Sequence, residues 1–496
     1  MTRNGDRPTP LDMSHEEFRA AGHRLVDEIA DLFQGLADRP VTTGKGPQEI
    51  RAQFDFARPL PENSANAAQL LDHAARLVVD YSLYNAHPRF WGYITAGAAP
   101  IGVLGDLLAS AVNPNVGGWV LSPIASEIES QTVRWIAELL GYPRDCGGLL
   151  VSGGNMANFV GFLAARAAKG DPELRQKGLA HGDSASLRVY VSGETHTWIQ
   201  KATDLFGFGT DSVRWIPTDN EFRMDIAALE SRIKSDIEDG DKPFMVVGTA
   251  GSVSTGAIDP LRHIHDICQK YDLWFHVDGA YGGFAACVPE VHDDIRGLEL
   301  ADSVAVDPHK WLYAPIEAGC ALVRDPDKLL KAFSYRPKYY HLGDEGINFV
   351  EYGPQNSRGF RALKVWLQLQ QAGRSGYAQM IREDIDLSKY AYQLIDKHPE
   401  LGAATQGLSI TTFRYIPKDL RASVGDGKTE KYLNELNTEL LSEIERRGEV
   451  FLSPAVLNDR YHLRMCIVNF RTTRADVEAL PEIVVRTGRE VDARLR

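Results

Sequence analysis

Residues 303–311 read SVAVDPHKW, and this stretch is the most informative feature of the chain. An apolar run typical of a buried strand ends in a turn that presents Lys310 beside His309. A lysine ammonium is strongly hydrated, so its place at the end of a buried strand indicates that the amine has a task. Upstream, residues 274–283 read WFHVDGAYGG, a second apolar run that ends in Asp278 and a flexible turn. The two strand ends predict one site that holds an amine and a carboxylate.

This pair of groups is what pyridoxal phosphate (PLP) requires. An amine such as that of Lys310 can hold the cofactor as a Schiff base, and a carboxylate such as that of Asp278 can keep its pyridine nitrogen protonated. Ala280, two residues after the acid, leaves room for the face of a ring. The competing interpretation is a surface lysine at a strand end and a turn aspartate before Gly279, which are the commoner roles of these residue types.

A phosphate group needs hydrogen-bond donors, and residues 151–158 (VSGGNMAN) offer a strand, a glycine turn and a helix start. Backbone amides at a helix N-terminus bind anions, so Gly154 and Asn155 are candidate phosphate-binding residues. Alone the signal is weak, because a glycine pair before a helix is most often a plain turn. His309 and Ser252 are further candidate donors.

His196 follows another strand-like run. We expect it to stack on the pyridine ring and to orient a substrate carboxylate, although a lone histidine in this position is more often an ordinary loop residue. His263 and His265 lie within a helical stretch, where residues two apart point to different faces, so we expect no metal site there.

Apolar strand-like runs alternate with helical stretches between about residues 86 and 380. This alternation predicts an α/β unit with a mainly parallel sheet. Ligands of such sheets bind beyond the carboxyl ends of the strands, and each main candidate residue follows a strand. The predicted strands span residues 148–152, 187–192, 244–249, 274–278, 303–307 and 320–324.

The chain changes character on either side of this unit. The N-terminal part predicts a helical arm that starts at a capping box, Ser14 and Glu17, and has little core of its own. The C-terminal part predicts an α+β unit whose last helix breaks at Pro481. The expected order is a helical arm (1–85), a large cofactor-binding domain (86–380) and a small C-terminal domain (381–496).

Composition excludes several classes of protein. The 496 residues are 44% hydrophobic and 24% charged, which is typical of a globular protein. The net charge of −13 argues against nucleic-acid or anionic-membrane partners. With no signal-peptide pattern, no run long enough to span a membrane and five scattered cysteines, we expect a cytoplasmic protein with reduced thiols.

Together the motifs resemble the group II PLP-dependent decarboxylases, and among them the aromatic L-amino-acid (tryptophan, tyrosine or dopa) decarboxylases. The resemblance covers about residues 11–489. It rests on residues 85–93 (NAHPRFWGY), on Ser122 and Pro123 with Glu127 and Glu129, and on the motifs around Gly154, His196, Asp278 and Lys310.

This resemblance implies the PLP-dependent transferase fold type I (aspartate aminotransferase-like) and a homodimer that the arm clasps, with active sites at the subunit interface. It implies that Lys310 attaches the cofactor, Asp278 partners the ring nitrogen and His196 stacks on the ring. Gly154, Asn155 and His309 would hold the phosphate. The implied reaction converts an aromatic L-amino acid to its amine and carbon dioxide.

The side chains of Trp91, Tyr93 and Trp119 are candidates for an aromatic substrate pocket. The alternative is that they are ordinary core aromatics. The sequence does not rank tryptophan, tyrosine, phenylalanine and dopa as substrates.

The chain departs from the family pattern in a loop at about residues 334–358. There the family carries a tyrosine that returns a proton to the substrate, and a count without gaps puts Phe349 at its place. Tyr352 lies three residues away, and Tyr339 and Tyr340 are in the same loop, so Tyr352 remains a candidate donor. If Phe349 truly replaces the tyrosine, oxygen intercepts the reaction and gives an aromatic acetaldehyde, ammonia and hydrogen peroxide.

A second departure is Asp307, where many relatives carry asparagine. A carboxylate near the phosphate would repel it unless the side chain points away. Other classes fit less well: a non-catalytic binding protein should lack the lysine or the aspartate, a transaminase needs an arginine clamp, and a dinucleotide-binding oxidoreductase needs a G-x-G-x-x-G motif that is absent.

Overall fold

A computed structural model describes residues 10–54, 56–179, 186–338, 343 and 346–496. Three helices open the described chain: α1 (His15–Gly35), α2 (Pro47–Arg51) and α3 (Ala67–Tyr81). The predicted capping box is confirmed, because Ser14 Oγ accepts from the Glu17 N–H and the Glu17 carboxylate accepts from the Ser14 N–H. Helix α1 packs on α3, but Ala21 is the one buried residue of α1 and α3 has none. These helices bury almost nothing by themselves.

A seven-stranded sheet forms the centre of the molecule. Its strands are β1 (Gly147–Val151), β2 (Leu187–Ser192), β3 (Val213–Ile216), β4 (Lys242–Thr249), β5 (Trp274–Asp278), β6 (Ser303–Val306) and β7 (Gly319–Val323). They lie in the order β1-β7-β6-β5-β4-β2-β3. The run from β6 through β5, β4 and β2 to β3 is parallel, and β7 is antiparallel to both β6 and β1. The predicted mainly parallel sheet of fold type I is confirmed.

Helices cover both faces of this sheet. The helices between residues 100 and 333 are α4 (Pro100–Val112), which packs on a later helix, and α5 (Pro123–Leu140), α6 (Gly154–Lys169), α7 (Leu174–Lys177), α8 (Trp198–Leu205), α9 (Ile226–Glu238), α10 (Leu261–Tyr271), α11 (Pro308–Trp311) and α12 (Pro326–Phe333), most of which contact the sheet. Each face carries its own core, as β2 illustrates: Val189 and Val191 pack into one cluster and Tyr190 into the other. The strands are therefore apolar on both sides, as expected for a buried parallel sheet.

The C-terminal part begins with the long helix α13 (Ala362–Asp396), which is interrupted at Gly373 (φ 63°, ψ 174°). An antiparallel sheet follows in the order β10-β11-β9-β8. Its elements are β8 (Leu401–Gly407), β9 (Ile410–Tyr415), α14 (Gly427–Arg447), β10 (Ser453–Leu457), β11 (Arg460–Cys466) and α15 (Arg474–Leu495). The predicted break at Pro481 is wrong, since α15 continues through that residue.

The segment at residues 87–91 is joined to this C-terminal part by backbone and side-chain hydrogen bonds. The Trp91 N–H donates to the Phe451 carbonyl at 2.9 Å, and Phe451 donates back to the carbonyl of Arg89 at 3.1 Å. Thr472 Oγ1 donates to the carbonyl of Pro88 at 2.7 Å and accepts from Trp91 Nε1 at 3.1 Å. An early segment of the chain is thus held by one of the last. Within the described ranges, no helix is both long and apolar enough to cross a membrane.

Candidate active site

The carboxyl ends of several strands of the large sheet meet around one small cavity. Lys310 and Asp278 both line it, as the sequence predicted for the amine and the carboxylate. The complete lining is Gly154, Asn155, Asn158, Glu194, His196, Thr249, Gly251, Val253, Asp278, Ala280, Tyr281 and Lys310. A larger cavity of about 760 Å³ lies between α13, β8 and the loop at residues 220–223, and none of the predicted site residues line it. The chemistry of the side chains, rather than cavity size, therefore identifies the site.

Lys310 stands in the single-turn helix α11, directly after β6. Its Nζ lies 2.9 Å from Oδ2 of Asp307, the residue between the strand and the helix. Asp307 is 1% exposed, whereas the Lys310 side chain keeps contact with the cavity at 21% exposure. The short helix thus turns the amine into the cavity while its ion-pair partner stays buried.

The Asp278 carboxylate is held at both oxygens. Oδ1 accepts a hydrogen bond from the Ala280 N–H at 3.1 Å, and Oδ2 accepts one from the indole Nε1 of Trp198 at 2.8 Å. Asp278 and Trp198 are both buried, so water does not compete for these bonds. The sequence analysis missed Trp198, whose only signal was its place two residues after His196.

His196 lines the same cavity at the end of β2. Burial lowers the pKa of its ring, and the charge of Asp278 opposes this shift. The Trp198 N–H donates to His196 Nδ1 at 3.3 Å. The neutral ring therefore carries its proton on Nε2, which leaves that N–H free to donate to a ligand.

A glycine turn joins β1 to α6 beside this group. Gly153 has φ 156°, and no side chain caps the helix that begins at Gly154. A methyl group on Gly154 would lie 2.6 Å from Asp307 Oδ2 and 2.9 Å from Ala280 Cβ, so only glycine fits. The backbone amides of the first turn of α6 therefore remain available for an anion.

His309 lies against this turn. Its Cε1 would be 3.2 Å from a methyl group on Gly153, and its Nδ1 lies 2.7 Å from the carbonyl oxygen of Ala318. Burial lowers the pKa of the ring. The Ala318 N–H also lies 3.3 Å from Nδ1, so both polar backbone groups of Ala318 contact this nitrogen and fix the ring.

Two buried hydroxyls near the cavity lack hydrogen-bond partners in the described structure, those of Thr249 and Thr195. Thr249 lines the cavity, so its hydroxyl is available to hydrogen-bond a ligand bound there. Behind the wall, His276 contacts Asn158 Oδ1 through Nε2 and Ser303 Oγ through Nδ1, both at 2.7 Å. Burial lowers the pKa of His276 to about 4, so the ring is neutral and fixes the Asn158 amide.

These groups fit PLP. The cavity holds an amine, a carboxylate fixed at both oxygens, an imidazole and an uncapped helix start, which are the groups that an aldehyde, a pyridine nitrogen, a ring face and a phosphate require. Among the described residues, no cluster of His, Cys, Asp and Glu has the composition of a metal site.

Besides the two loop candidates, five predicted residues do not line the cavity: His309, which lies next to the glycine turn, and the four that follow. Ser252 is turned to Thr255, with its Oγ 2.9 Å from the threonine hydroxyl. Trp91 is fully buried in the core of the C-terminal part. Tyr93 is 59% exposed, and Trp119 donates from Nε1 to Glu127 at 2.7 Å. The three aromatic residues proposed for substrate thus lie outside the wall that this single chain builds.

The two loop candidates, Phe349 and Tyr352, are also elsewhere. Phe349 is fully buried, with the guanidinium of Arg358 4.8 Å from its ring centroid. Together with Tyr352 it lines a different cavity, beside the start of β1. Tyr339 and Tyr340 lie outside the described residues. Within one chain, neither described candidate reaches the Lys310 cavity.

Comparison with known proteins agrees with this arrangement. The family model "Pyridoxal-dependent decarboxylase conserved domain" matches residues 47–416. The chain is 34% identical over 472 residues to an aromatic-L-amino-acid decarboxylase of Bacillus atrophaeus, covering 94% of each protein. It is 30% identical over 466 residues to a phenylacetaldehyde synthase of a Rosa hybrid cultivar, covering 91% of this chain and 90% of that protein.

A solved structure is similar over nearly the whole chain. The crystal structure of Oryza sativa TDC with PLP and tryptamine superposes with a TM-score of 0.88 at 27% identity, covering 98% of this chain and 99% of that chain.

Proposed function

The chain belongs to the pyridoxal-dependent decarboxylase family and is a PLP-dependent amino-acid decarboxylase, and from this premise we propose that it converts an aromatic L-amino acid to the corresponding amine and carbon dioxide. The observation that carries the proposal is the meeting of Lys310 and Asp278 in one cavity beside the uncapped start of α6. The names of the Bacillus relative and of the tryptamine complex support the aromatic substrate class.

Several residues of the cavity would hold the cofactor in this proposal. Lys310 would attach it, the Asp278 carboxylate would be the partner of its ring nitrogen, and the amides of Gly154 and Asn155 would receive its phosphate, with His309 next to this turn. Bound PLP supplies an electron sink for the electron pair that remains when the carboxylate leaves. Ala280 and His196, which both line the cavity, would lie next to its ring.

The residues of the protein orient the reacting groups and hold the protons that the reaction needs. The two hydrogen bonds to Asp278 keep its carboxylate in one orientation, so its negative charge stays directed at one point of the cavity. The Nε2–H of His196 is free to donate to the substrate carboxylate. The Lys310 amine would hold a mobile proton at the same place.

A homodimer is part of the proposal, with the arm (1–85) on the large domain (86–380) of a second copy and the small domain (381–496) outside that contact. Helices α1 and α3 expose Phe18, Leu70 and Val78 at 65%, 55% and 65%, a pattern that supports a covered apolar face. In such a dimer, Tyr93, Trp119 and the loop at residues 334–358 serve the cavity of the partner. The free cysteines support a cytoplasmic location.

A second candidate reaction is decarboxylation coupled to oxidative deamination. Here one amino acid, one O2 and one water give an aromatic acetaldehyde, carbon dioxide, ammonia and hydrogen peroxide. The presence of Phe349 at the expected tyrosine position favours this reaction, and the Rosa relative is named for such a product. Tyr352, three residues away, favours the simple decarboxylation, because a tyrosine hydroxyl carries a proton at neutral pH that it can donate.

Aerobic incubation of the PLP-loaded protein with tryptophan, tyrosine, phenylalanine and dopa tests both candidates. Amine without peroxide supports the simple decarboxylase, and aldehyde with equimolar peroxide supports the oxidative reaction. Turnover of none of the four would overturn the aromatic assignment. Borohydride reduction and peptide mapping checks attachment separately, since a cofactor bound away from Lys310 would contradict the site.

A further inference from the structure

Asp307 is a buried acid that the proposed reaction does not use. It follows β6 and is 1% exposed. Its Oδ2 lies 2.9 Å from Lys310 Nζ and 3.8 Å from His309 Nε2. Its Oδ1 is buried without a hydrogen-bond partner in the described structure. One charged contact, that with Lys310, therefore bears most of the cost of burying this carboxylate.

The carboxylate has little room to turn elsewhere. Oδ2 sits in the space that a side chain on Gly154 would occupy, 2.6 Å from the position of that Cβ. The first residue of α6 thus packs directly against the acid, and the partial positive charge of the helix N-terminus favours a negative group there. Asp307, Gly154 and Lys310 form one contact group, with the lysine as the mobile member at the cavity wall.

We propose that Asp307 is a positioning residue that holds Lys310 as an ammonium ion whenever the lysine is not bonded to the cofactor. This inference rests on the proposed attachment of PLP at Lys310. The relevant states are the cofactor-free protein and the stage at which substrate has displaced the lysine. In both states, the ion pair holds Lys310 Nζ 2.9 Å from Asp307 Oδ2 and so limits the movement of the amine in the cavity.

The ion pair has a chemical consequence for cofactor attachment. An ammonium nitrogen has no lone pair, so it must lose a proton before it attacks the aldehyde carbon of PLP. The ammonium proton passes to solvent, the nitrogen bonds to the aldehyde carbon, and the aldehyde oxygen leaves as water with the two remaining N–H hydrogens as the C=N bond forms. The 2.9 Å ion pair with Asp307 must therefore break before the nitrogen attacks, so Asp307 opposes attachment wherever the amine is charged. Asparagine at this position keeps the shape and loses the charge.

The first test measures the pH dependence of attachment. Cofactor-free full-length chain is mixed with PLP, samples are reduced with borohydride, and labelled Lys310 is quantified by peptide mapping between pH 6 and pH 10. We expect Asp307→Asn to move the midpoint of the rate profile to lower pH by about one unit or more, the size of the effect of an adjacent opposite charge. A profile that coincides with that of the unaltered protein overturns the proposal.

Asp272→Asn is the matched control. Asp272 is an exposed acid in a left-handed backbone conformation that asparagine also adopts, and its carboxylate contacts Lys169, far from the cavity. It loses the same charge, and we expect its attachment profile to stay unchanged. A similar shift in this control would assign the effect to net charge and overturn the role of Asp307.

A second test needs neither cofactor nor activity. Thermal unfolding of the cofactor-free protein is compared for Asp307→Asn, Lys310→Met and the double variant. If the ion pair exists, Lys310→Met alone leaves a buried unpaired carboxylate and lowers the unfolding temperature, and adding Asp307→Asn restores most of the loss. Independent, additive effects overturn the proposal. This cycle tests the ion pair of Asp307 and Lys310 even if mapping finds PLP attached elsewhere. Attachment elsewhere would contradict the proposed function but not the ion pair.

Discussion

The indole nitrogen of Trp198 and the Oδ2 atom of Asp278 lie 2.8 Å apart, joined by a hydrogen bond between two buried side chains. The tryptophan begins α8, and the aspartate ends β5, so the bond links the two elements behind the cavity. The bond fixes the orientation of the carboxylate. The orientation of the charge that faces the cavity is thus fixed by Trp198, a residue that does not line the cavity.

Replacing Trp198 by phenylalanine should weaken PLP binding. Phenylalanine keeps an aromatic ring but lacks the pyrrole part of the indole and its N–H, so Oδ2 of Asp278 loses its donor, and an unsatisfied buried acceptor costs about 1–3 kcal/mol. We expect the dissociation constant, measured by fluorescence titration, to rise about tenfold or more. Trp215→Phe, on an indole that is 44% exposed, is the control. Equal affinities for both variants would contradict a role for the hydrogen bond.

Gly154→Ala should fold but lose cofactor binding. The added methyl group would meet Asp307 Oδ2 and Ala280 Cβ within 3 Å, and such overpacking costs about 1–3 kcal/mol. The clash displaces the groups around Lys310, so PLP uptake followed by absorbance should fall at least about tenfold. Gly359→Ala meets no atom within 4 Å and should bind normally. Normal uptake by the Gly154 variant would refute the close packing.

The buried ion pair of Arg358 and Glu129 should be essential for stability. Arg358 also donates to the carbonyls of Val116 and Leu150 at 2.7 Å, and both charged side chains are 1% exposed or less. Arg358→Leu leaves an unpaired buried carboxylate, which costs about 3–5 kcal/mol in urea unfolding.

The exposed pair Arg474 and Glu478 offers a matched control for this prediction. Its side chains are 69% and 48% exposed, so Arg474→Leu should cost less than about 1 kcal/mol. Similar losses in both variants would show that burial does not set the contribution of Arg358.

Asp384 should make stability depend on pH. Burial raises its pKa to about 7, against the hydrogen bonds that it accepts from Trp311 and Tyr313. The folded protein therefore retains a proton that the unfolded chain has lost, and this contribution to stability falls as the pH rises from about 4 to about 7.

Asp384→Asn removes that titration. Denaturant unfolding at several pH values should show the variant gaining stability relative to the unaltered protein between pH 4 and pH 7, with a constant difference above about pH 8. A difference that does not change with pH would mean that Asp384 ionises as it does in water.

Tyr352→Phe tests the proton donor. If Tyr352 returns the proton to the substrate, amine formation should fall by about 10²–10⁴-fold, the usual contribution of one general acid, and aldehyde with peroxide should rise. Tyr335→Phe, in the same loop at 70% exposure, should leave the product ratio unchanged. Unaltered amine formation by the Tyr352 variant would exclude it as the donor.

The sequence predicted those features that local chemistry determines. The strands before Lys310 and Asp278 are continuous apolar runs. The capping box at Ser14 and Glu17 is formed by residues three positions apart. Both patterns could therefore be recognised from the sequence. Strand β3 is short and half-exposed, and β8 reads LGAATQG, without the β-branched pattern of a strand, so tertiary pairing decides them.

Contacts between distant residues were beyond such reasoning. Trp198 and Asp278 are 80 positions apart, and nothing in either motif indicates that they meet. Trp91 is of a residue type that could line an aromatic substrate pocket. Its indole instead lies in the C-terminal core, where Nε1 donates to Thr472. A proline inside a helix usually breaks it, yet α15 continues through Pro481. The packing of α15 on the rest of the small domain outweighs the lost hydrogen bond.

The bonds that hold residues 87–91 also set an order of events during synthesis. Their partners, Phe451 and Thr472, lie about 360–380 positions later in the chain, so at a ribosome rate of about 5–20 residues per second they emerge tens of seconds afterwards. Until then Trp91 has no core to enter. A segment made early is among the last to order, and a chain cut short before residue 451 leaves it without its partners.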